Sequence, residues 1–125
     1  MKPPVEILRR RDDGAVVARL RGDIDMAQIP KIQAALEAAL SDAIAALIID
    51  LSGVRYFDSL GIRLLFDVKK RLQQRRQPLL LVVPDGAPIR HIFAIVNIDH
   101  YVQIHGTLES ACAAFSRTAG VAAAE

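Results

Sequence analysis

The fold is decided by residues 48–62, which read Ile48-Ile49-Asp50-Leu51-Ser52-Gly53-Val54-Arg55-Tyr56-Phe57-Asp58-Ser59-Leu60-Gly61-Ile62. The pattern predicts a buried strand that ends at Leu51, a short loop, and a helix that Ser59 opens directly after Asp58. A hydroxyl at the start of a helix lies in the positive field of exposed backbone N–H groups, which would also accommodate a phosphate. Ser59 is therefore the first candidate for a functional residue.

The segments around this stretch predict the element order β-β-α-β-α-β-α-β-α. The Asp13-Gly14 pair between two short β-type runs predicts an opening hairpin. The order indicates an α/β fold with a mixed, mostly parallel sheet and four helices, and the uninterrupted apolar runs of the third and fourth strands indicate that both sheet faces are covered. Strands are expected at Val5–Arg10, Ala15–Arg21, Ala45–Leu51, Pro78–Val83 and Val102–Ile104, and helices at Ala27–Leu40, Ser59–Arg76, after Pro88, and from Thr107 to about Phe115.

Single residues at the helix ends predict local structure. Asn97 follows the third helix, where a residue able to adopt the left-handed conformation is wanted. Thr107 can cap the last helix, and Asp25 can cap the helix that begins near Ala27. Ser59, if it has no other role, is interpreted as the N-cap of its own helix. Within that helix, the residues expected to face the core are Gly61, Leu65, Val68 and Leu72.

Length and composition indicate one domain of ordinary size. The 125 residues are 52% apolar and 24% charged, which is typical of a globular protein. The apolar runs are far shorter than the about 20 residues that a bilayer-spanning helix needs, and no signal-peptide pattern opens the chain. We expect a cytoplasmic protein without direct membrane insertion, with its domain over 1–117 and a flexible tail over 118–125.

The charge distribution gives no sign of nucleic-acid binding. The formal net charge is only +2, and much of the positive charge is concentrated in Lys69–Arg76. This segment is interpreted as the solvated C-terminal end of a helix, where cations are favoured, and a partner-facing patch is the alternative.

No residue pattern indicates catalysis, a cofactor or a metal site. The single cysteine, Cys112, excludes an internal disulfide, and its apolar neighbours indicate a small buried hydrophobe. His91 is expected on a helix surface, and His100 and His105 lack zinc-type spacing. No Gly-x-Ser-x-Gly elbow, phosphate-binding glycine loop or dinucleotide fingerprint is present, so we predict a protein that is not an enzyme.

Three blocks of the sequence carry a family pattern. They are Gly22-Asp23-Ile24-Asp25, then Ile49 to Val54 leading into Phe57-Asp58-Ser59-Leu60-Gly61-Ile62, and finally Pro88-Ile89-Arg90 through Asn97-Ile98-Asp99. In this order and at these separations, they resemble the STAS domain of anti-sigma factor antagonists over nearly the whole chain. The resemblance implies a STAS-type fold and a regulator that changes partners when the serine after the aspartate is phosphorylated.

The resemblance also implies specific partners and site residues. Ser59 would be the phosphoacceptor, with Asp58 beside it and Asp25 at the family's other acidic position. The unphosphorylated protein would bind an anti-sigma factor of the serine kinase type, which phosphorylates Ser59 with ATP, and a separate phosphatase would restore it. A weak homodimer is left open. The expected contact surface comprises Asp23, Asp25, Asp58, Ser59, Leu60, Gly61 and Arg63.

The chain departs from the usual family pattern at two positions. Leu60 stands where a small residue is usual, and Asn97 stands where glycine is usual. Leu60 would place a bulky apolar group beside the phosphoacceptor, which could alter the fit of a kinase or suit a different partner. Two other functions therefore stay open: a non-phosphorylated STAS adaptor subunit of a membrane transporter or sensory complex, and a small-ligand sensor that uses the loops at the strand ends.

Overall fold

The strands and helices follow the predicted order in the computed structural model, which describes residues 3–10, 13–40 and 43–115. The strands are β1 (Val5–Arg9), β2 (Ala15–Ile24), β3 (Ala46–Phe57), β4 (Leu79–Val82) and β5 (Gln103–His105). The helices are α1 (Ile29–Leu40), α2 (Ser59–Gln74), α3 (Arg90–Ile95) and α4, described over 108–115, with a 3-10 turn at Ile98–His100. The predicted domain end at 117 and the tail over 118–125 lie outside the described residues.

The sheet has its five strands side by side in chain order. Strand β1 pairs with β2 in antiparallel fashion, whereas β2, β3, β4 and β5 are parallel to one another. Leu36 of α1, Leu65 of α2 and Phe93 of α3 belong to one buried cluster, so these three helices lie on the same face of the sheet. The predicted α/β fold with a mixed, mostly parallel sheet is confirmed.

Each face of the sheet has its own apolar core. Leu36 of α1 and Leu65 of α2 belong to one buried cluster with Ile49 of β3, whereas Phe115 of α4 belongs to a second cluster with Ile48. Ile48 and Ile49 are both fully buried, although adjacent side chains in a strand point to opposite faces. The prediction of a sheet covered on both faces is therefore confirmed.

Strand β3 is longer than the sequence pattern predicts. It continues through Ser52 and Gly53 to Phe57, and only Asp58 separates it from α2. The pairing with β2 shifts in register at two places, because β3 contains an extra residue at each. Such bulges interrupt the alternation by which a strand is detected in a sequence. The predicted loop before Ser59 is therefore wrong.

The first irregularity of β3 is held by the buried carboxylate of Asp50. Its Oδ1 accepts hydrogen bonds from the backbone N–H of Ser52, at 3.0 Å, and from the Ser52 hydroxyl. Its Oδ2 lies 3.5 Å from Nε of Arg19. Since both oxygens have partners, the charge can be buried at a strand position that would otherwise demand an apolar residue.

Strand β2 also extends beyond its predicted end at Arg21. Gly22 and Asp23 are strand residues, and β2 ends only at Ile24. Gly22 has a φ of +82°, which glycine tolerates without strain, and it lies at the second shift of the register. Gly22, Asp23 and Ile24, which follow the predicted strand, therefore belong to β2, and only Asp25 of this family block lies beyond the strand.

Most of the structural features predicted at the helix ends are confirmed. Asn97 is left-handed, with φ 54° and ψ 41°, and Oγ1 of Thr107 accepts a hydrogen bond of 3.1 Å from the backbone N–H of Ser110. Helix α1 begins at Ile29 rather than at Ala27, because a turn precedes it. The predicted buried stripe of α2 is confirmed at Gly61, Leu65, Val68 and Leu72.

Two predictions about individual side chains are met only in part. Cys112 packs against the second core as a small hydrophobe, as predicted, but it is only half-buried. The basic segment Lys69–Arg76 is largely exposed, as expected of a helix end, and α2 itself stops at Gln74. Within this segment Arg75 has a structural contact, since its Nη1 donates a hydrogen bond of 2.6 Å to the carbonyl oxygen of Leu40.

Candidate functional site

The carboxyl ends of β2 and β3 bring two predicted site segments to one edge of the sheet. Ile24 lies opposite Phe57 in the parallel pairing, and the backbone N–H of Asp58 donates to the carbonyl oxygen of Ile24 at 3.4 Å. From there the chain leaves β2 through the turn at Asp25 and leaves β3 directly into α2. The Asp25 turn and the start of α2 are therefore neighbours.

Asp58, and not Ser59, is the N-cap of α2. Its backbone is extended, and its Oδ1 accepts hydrogen bonds from the amide groups of Leu60, at 3.0 Å, and Gly61, at 3.2 Å. The interpretation of Ser59 as the cap is wrong. Aspartate and serine are both favoured caps, but a carboxylate also interacts with the positive end of the helix dipole.

Ser59 is the first residue of α2 and is exposed. Its hydroxyl makes no hydrogen bond to any residue that the structure describes. Because the Asp58 carboxylate already binds the amides of Leu60 and Gly61, these donors are not free to receive another anion. A phosphate on Ser59 would therefore lie beside a carboxylate, and two of the N–H groups that the sequence leads us to expect as exposed at the helix start are already occupied.

Gly61 is required by the packing between β3 and α2. A Cβ at this position would lie 2.7 Å from Cε1 of Phe57 and 2.9 Å from two further ring atoms. The ring of Phe57 is buried and packs edge-on against Phe93, with 5.7 Å between the ring centroids. The glycine of the Asp-Ser-x-Gly pattern thus allows the helix to approach the strand end closely.

Large apolar side chains are exposed at the same edge of the sheet. Leu60 is 38% exposed, Tyr56 is 53% exposed and Met26, directly after Asp25, is 71% exposed. Tyr56 lies opposite Asp23 in the pairing of β3 with β2. Because Leu60 reaches solvent, the departure from the family pattern is accommodated without disturbing the core. These three exposed apolar side chains are available for contact with another protein at this end of the sheet.

The other predicted site residues are held by local contacts. Oδ1 of Asp25 accepts a hydrogen bond of 3.0 Å from the backbone N–H of Ala27, so Asp25 caps the turn before α1 rather than the helix itself. Oδ1 of Asp23 lies 3.6 Å from Nε of Arg55 in an exposed pair, which stabilises by about 1 kcal/mol at most. Arg63 is exposed on α2 and has no ion pair among the described residues.

Three residues of this site, Phe57, Tyr56 and Met26, are not among the site residues that the sequence predicts. The contact of Phe57 could be found from Gly61, because a glycine on the buried stripe of a helix signals a close approach by another group. Tyr56 and Met26 carry no such signal, since each could equally be an ordinary apolar residue of a strand or a turn.

The described residues contain no cluster of three or more His, Cys, Asp or Glu side chains that could hold a metal ion. His105 is engaged elsewhere, with its ring nitrogens 3.0 Å from Oγ of Ser110 and 3.2 Å from Oε1 of Gln103. His91 is exposed on α3, as predicted. Over the described ranges, no helix has the length and apolar character needed to cross a membrane.

Known proteins share both the sequence pattern and the fold. The family model described as STAS domain matches residues 6–111. The anti-sigma-B factor antagonist of Listeria monocytogenes is 30% identical over 97 residues, which cover 78% of this chain and 84% of that protein. The anti-sigma-F factor antagonist RsfB of Mycobacterium tuberculosis is 26% identical over 99 residues, with 79% and 80% covered. The crystal structure of an anti-sigma factor antagonist from Mycobacterium paratuberculosis matches with a TM-score of 0.74 and 26% identity, covering 90% of this chain and 94% of that one.

Proposed function

The chain belongs to the STAS domain family, and we propose that within this family it is an anti-sigma factor antagonist controlled by phosphorylation of Ser59. The observation that carries the proposal is the position of Ser59, which is exposed directly after the N-cap Asp58 at an edge rich in exposed apolar groups. The names of the relatives in Listeria and Mycobacterium support the same function.

The proposed partner is an anti-sigma factor of the serine kinase type. Its docking site, called the switch surface below, comprises Asp23, Asp25, Asp58, Ser59, Leu60, Gly61 and Arg63. The unmodified Ser59 hydroxyl is small and neutral, so a partner can pack closely over it and over the neighbouring Leu60. In this state the antagonist occupies the anti-sigma factor and releases the sigma factor.

Phosphorylation would reverse this binding by charge and bulk at the surface. A phosphate carries about −1.5 to −2 charges at neutral pH. On Ser59 it would stand beside the Asp58 carboxylate, whose hydrogen bonds already occupy two amides of α2. The interior of the domain is not involved, so the fold survives while the partner is repelled. A phosphatase then restores the neutral hydroxyl.

The protein is a substrate of enzymes in this proposal and is not itself an enzyme. Ser59 has no hydrogen-bonded base among the described residues, and a serine nucleophile would need one. The proposal places the protein in the cytoplasm, where an anti-sigma factor and its sigma factor meet, and it requires no cofactor bound to the antagonist.

Intact-mass measurement tests the proposal directly. The purified protein is incubated with ATP and the kinase-type anti-sigma factor of the same organism. The wild-type chain is expected to gain one phosphate, Ser59→Ala none, and the control Ser110→Ala, at an exposed serine of α4, one. The proposal is overturned if Ser59→Ala gains phosphate like the wild type or if the wild-type chain gains none.

A constitutive adaptor is the second candidate function, favoured by the exposed Leu60 beside Ser59. A bulky apolar group there suits a permanent protein contact that is never modified. Pull-down of the tagged chain from cells distinguishes the two functions. Recovery of a transporter or sensory-complex subunit as the main partner supports the adaptor, whereas recovery of a kinase-type anti-sigma factor supports the antagonist.

A further inference from the structure

A basic groove adjoins the switch surface along the ends of β2 and β3. It has a volume of about 700 Å³, and the charged side chains that line it are those of Arg21, Lys31, Arg55 and Asp23. With Glu6, which pairs with Arg21, three cations thus lie beside two carboxylates, and the groove keeps an excess of one positive charge. The cations come from three different elements, since Arg21 belongs to β2, Lys31 to the first turn of α1 and Arg55 to β3.

Two glycines keep the groove open. Gly22 lines it, and a Cβ at this position would meet no other atom within 4 Å, so a side chain there would project into free space. Gly53 also lines it, and a Cβ at that position would lie 3.3 Å from Cβ of Arg21. Without these side chains, the backbone between the cations is accessible to an extended chain.

The cations differ in how firmly they are held. Arg21 is fixed by Glu6, with 3.2 Å between Nη2 and Oε2. The only described partner of Arg55 is Asp23, at 3.6 Å, and its side chain is 77% exposed. Lys31 is exposed and makes no hydrogen bond or ion pair to any described residue. Lys31 and Arg55 are therefore held less firmly than Arg21, and each can turn toward the carboxylates of another molecule, Arg55 by giving up an exposed ion pair.

We propose that this basic groove receives an acidic segment of the anti-sigma factor that docks on Ser59, an inference that rests on the proposed function. Asp23 belongs to both the groove and the switch surface, so a partner seated on one continues into the other. Cations placed on three elements match a run of carboxylates along a peptide. A phosphate on Ser59 adds negative charge at the same edge of the sheet and opposes this attraction.

The test compares association rates of the full chain with the purified anti-sigma factor between 25 and 300 mM NaCl, salt concentrations chosen to vary screening. The variant Lys31→Glu/Arg55→Glu is expected to associate about ten-fold more slowly at low salt and to lose most of the salt dependence of the wild type. The control Lys69→Glu/Lys70→Glu makes the same change in net charge on α2, outside the groove. Its association rate is expected to stay within about two-fold of the wild-type rate. Lys31→Gln/Arg55→Gln should give an intermediate rate.

The possible results separate this inference from the proposed function. If the wild-type chain binds no anti-sigma factor, both fail. If it binds and the groove variant associates like the control, the groove inference alone fails. Calorimetric titration with inorganic pyrophosphate tests whether the groove instead binds small anions. Stoichiometric binding that is lost in Lys31→Glu/Arg55→Glu would make the groove a small-anion site and overturn the inference. A slow groove variant with no pyrophosphate binding supports it.

Discussion

The ring of Phe57 fills the space that a Cβ on Gly61 would need, since that atom would lie 2.7 Å from Cε1 of the ring. Phe57 is the last residue of β3, and Gly61 lies in the first turn of α2. The contact therefore sets how closely α2 follows the strand. Asp58 and Ser59 lie between the two residues. The position of the proposed phosphoacceptor therefore depends on residue 61 being a glycine, which has no side chain to hold the helix away from the strand.

The Gly61→Ala variant is expected to have a free energy of unfolding about 1–3 kcal/mol lower than the wild type, because the added methyl overpacks the contact. Alanine would ordinarily be favoured over glycine in a helix by about 1 kcal/mol, which this clash must exceed. The ring of Phe57 cannot easily retreat, because it packs edge-on against Phe93. Urea denaturation measures the difference.

Gly86→Ala is the matched control for this prediction. Gly86 is exposed, and a Cβ there would meet no atom within 4 Å. Its free energy of unfolding is expected to stay within about 0.5 kcal/mol of the wild type. Equal stability of the Gly61→Ala and Gly86→Ala variants would show that the strand and helix do not require the glycine.

Asp58→Ala is expected to lower the free energy of unfolding by about 1 kcal/mol, because the amides of Leu60 and Gly61 lose their acceptor. Asp58→Asn is expected to have nearly the wild-type free energy of unfolding, since asparagine caps as well as aspartate does. Thermal or urea denaturation of the two variants side by side measures the effect. A loss of equal size in both would mean that the charge of Asp58, and not its capping geometry, stabilises the domain.

Ser59→Ala is expected to leave the free energy of unfolding within about 0.5 kcal/mol of the wild type. The reason is that Asp58 caps α2, and the Ser59 hydroxyl is exposed without a hydrogen bond to a described residue. Denaturation of Ser59→Ala beside Asp58→Ala checks this prediction. If Ser59→Ala were destabilised by about 1 kcal/mol, the serine would be acting as a cap after all.

Leu60→Ala is expected to weaken binding of the anti-sigma factor about five-fold, since burial of the exposed part of this side chain by a partner corresponds to about 1 kcal/mol. Isothermal titration calorimetry measures the affinity. Ile95→Ala is the control, because Ile95 is also an exposed apolar residue, 64% exposed against 38% for Leu60, and lies at the end of α3. Unchanged affinity in Leu60→Ala, or an equal loss in Ile95→Ala, would remove Leu60 from the contact surface.

The helical half of the fold can be predicted from the sequence because its signals are local. The stripe from Gly61 to Leu72 follows the helical period, and Asn97 marks a left-handed helix end without any knowledge of the neighbours. The second half of β3 cannot be predicted in the same way. Ser52 and Gly53 look like a loop, and the bulges destroy the alternation that would connect them to Phe57.

The site is predictable as a location but not in its details. Ser59 is identified by its neighbours in the chain. The N-cap is harder to predict, because aspartate and serine are both favoured caps, and only the structure shows that the helix begins after Asp58. The basic groove has no sequence signal, since Arg21, Lys31 and Arg55 become neighbours only when β2, α1 and β3 have assembled.

The two bulges of β3 have a consequence for how this chain can diverge. Side chains alternate between faces along a strand, so one residue inserted or deleted between Asp50 and Val54 would turn Val54 and Phe57 away from the core. The interval between the buried aspartate and the serine is therefore a fixed length. Alignment gaps among homologues are expected in the β1–β2 turn or after α2, and a homologue with a gap inside this interval is expected to lose the serine switch.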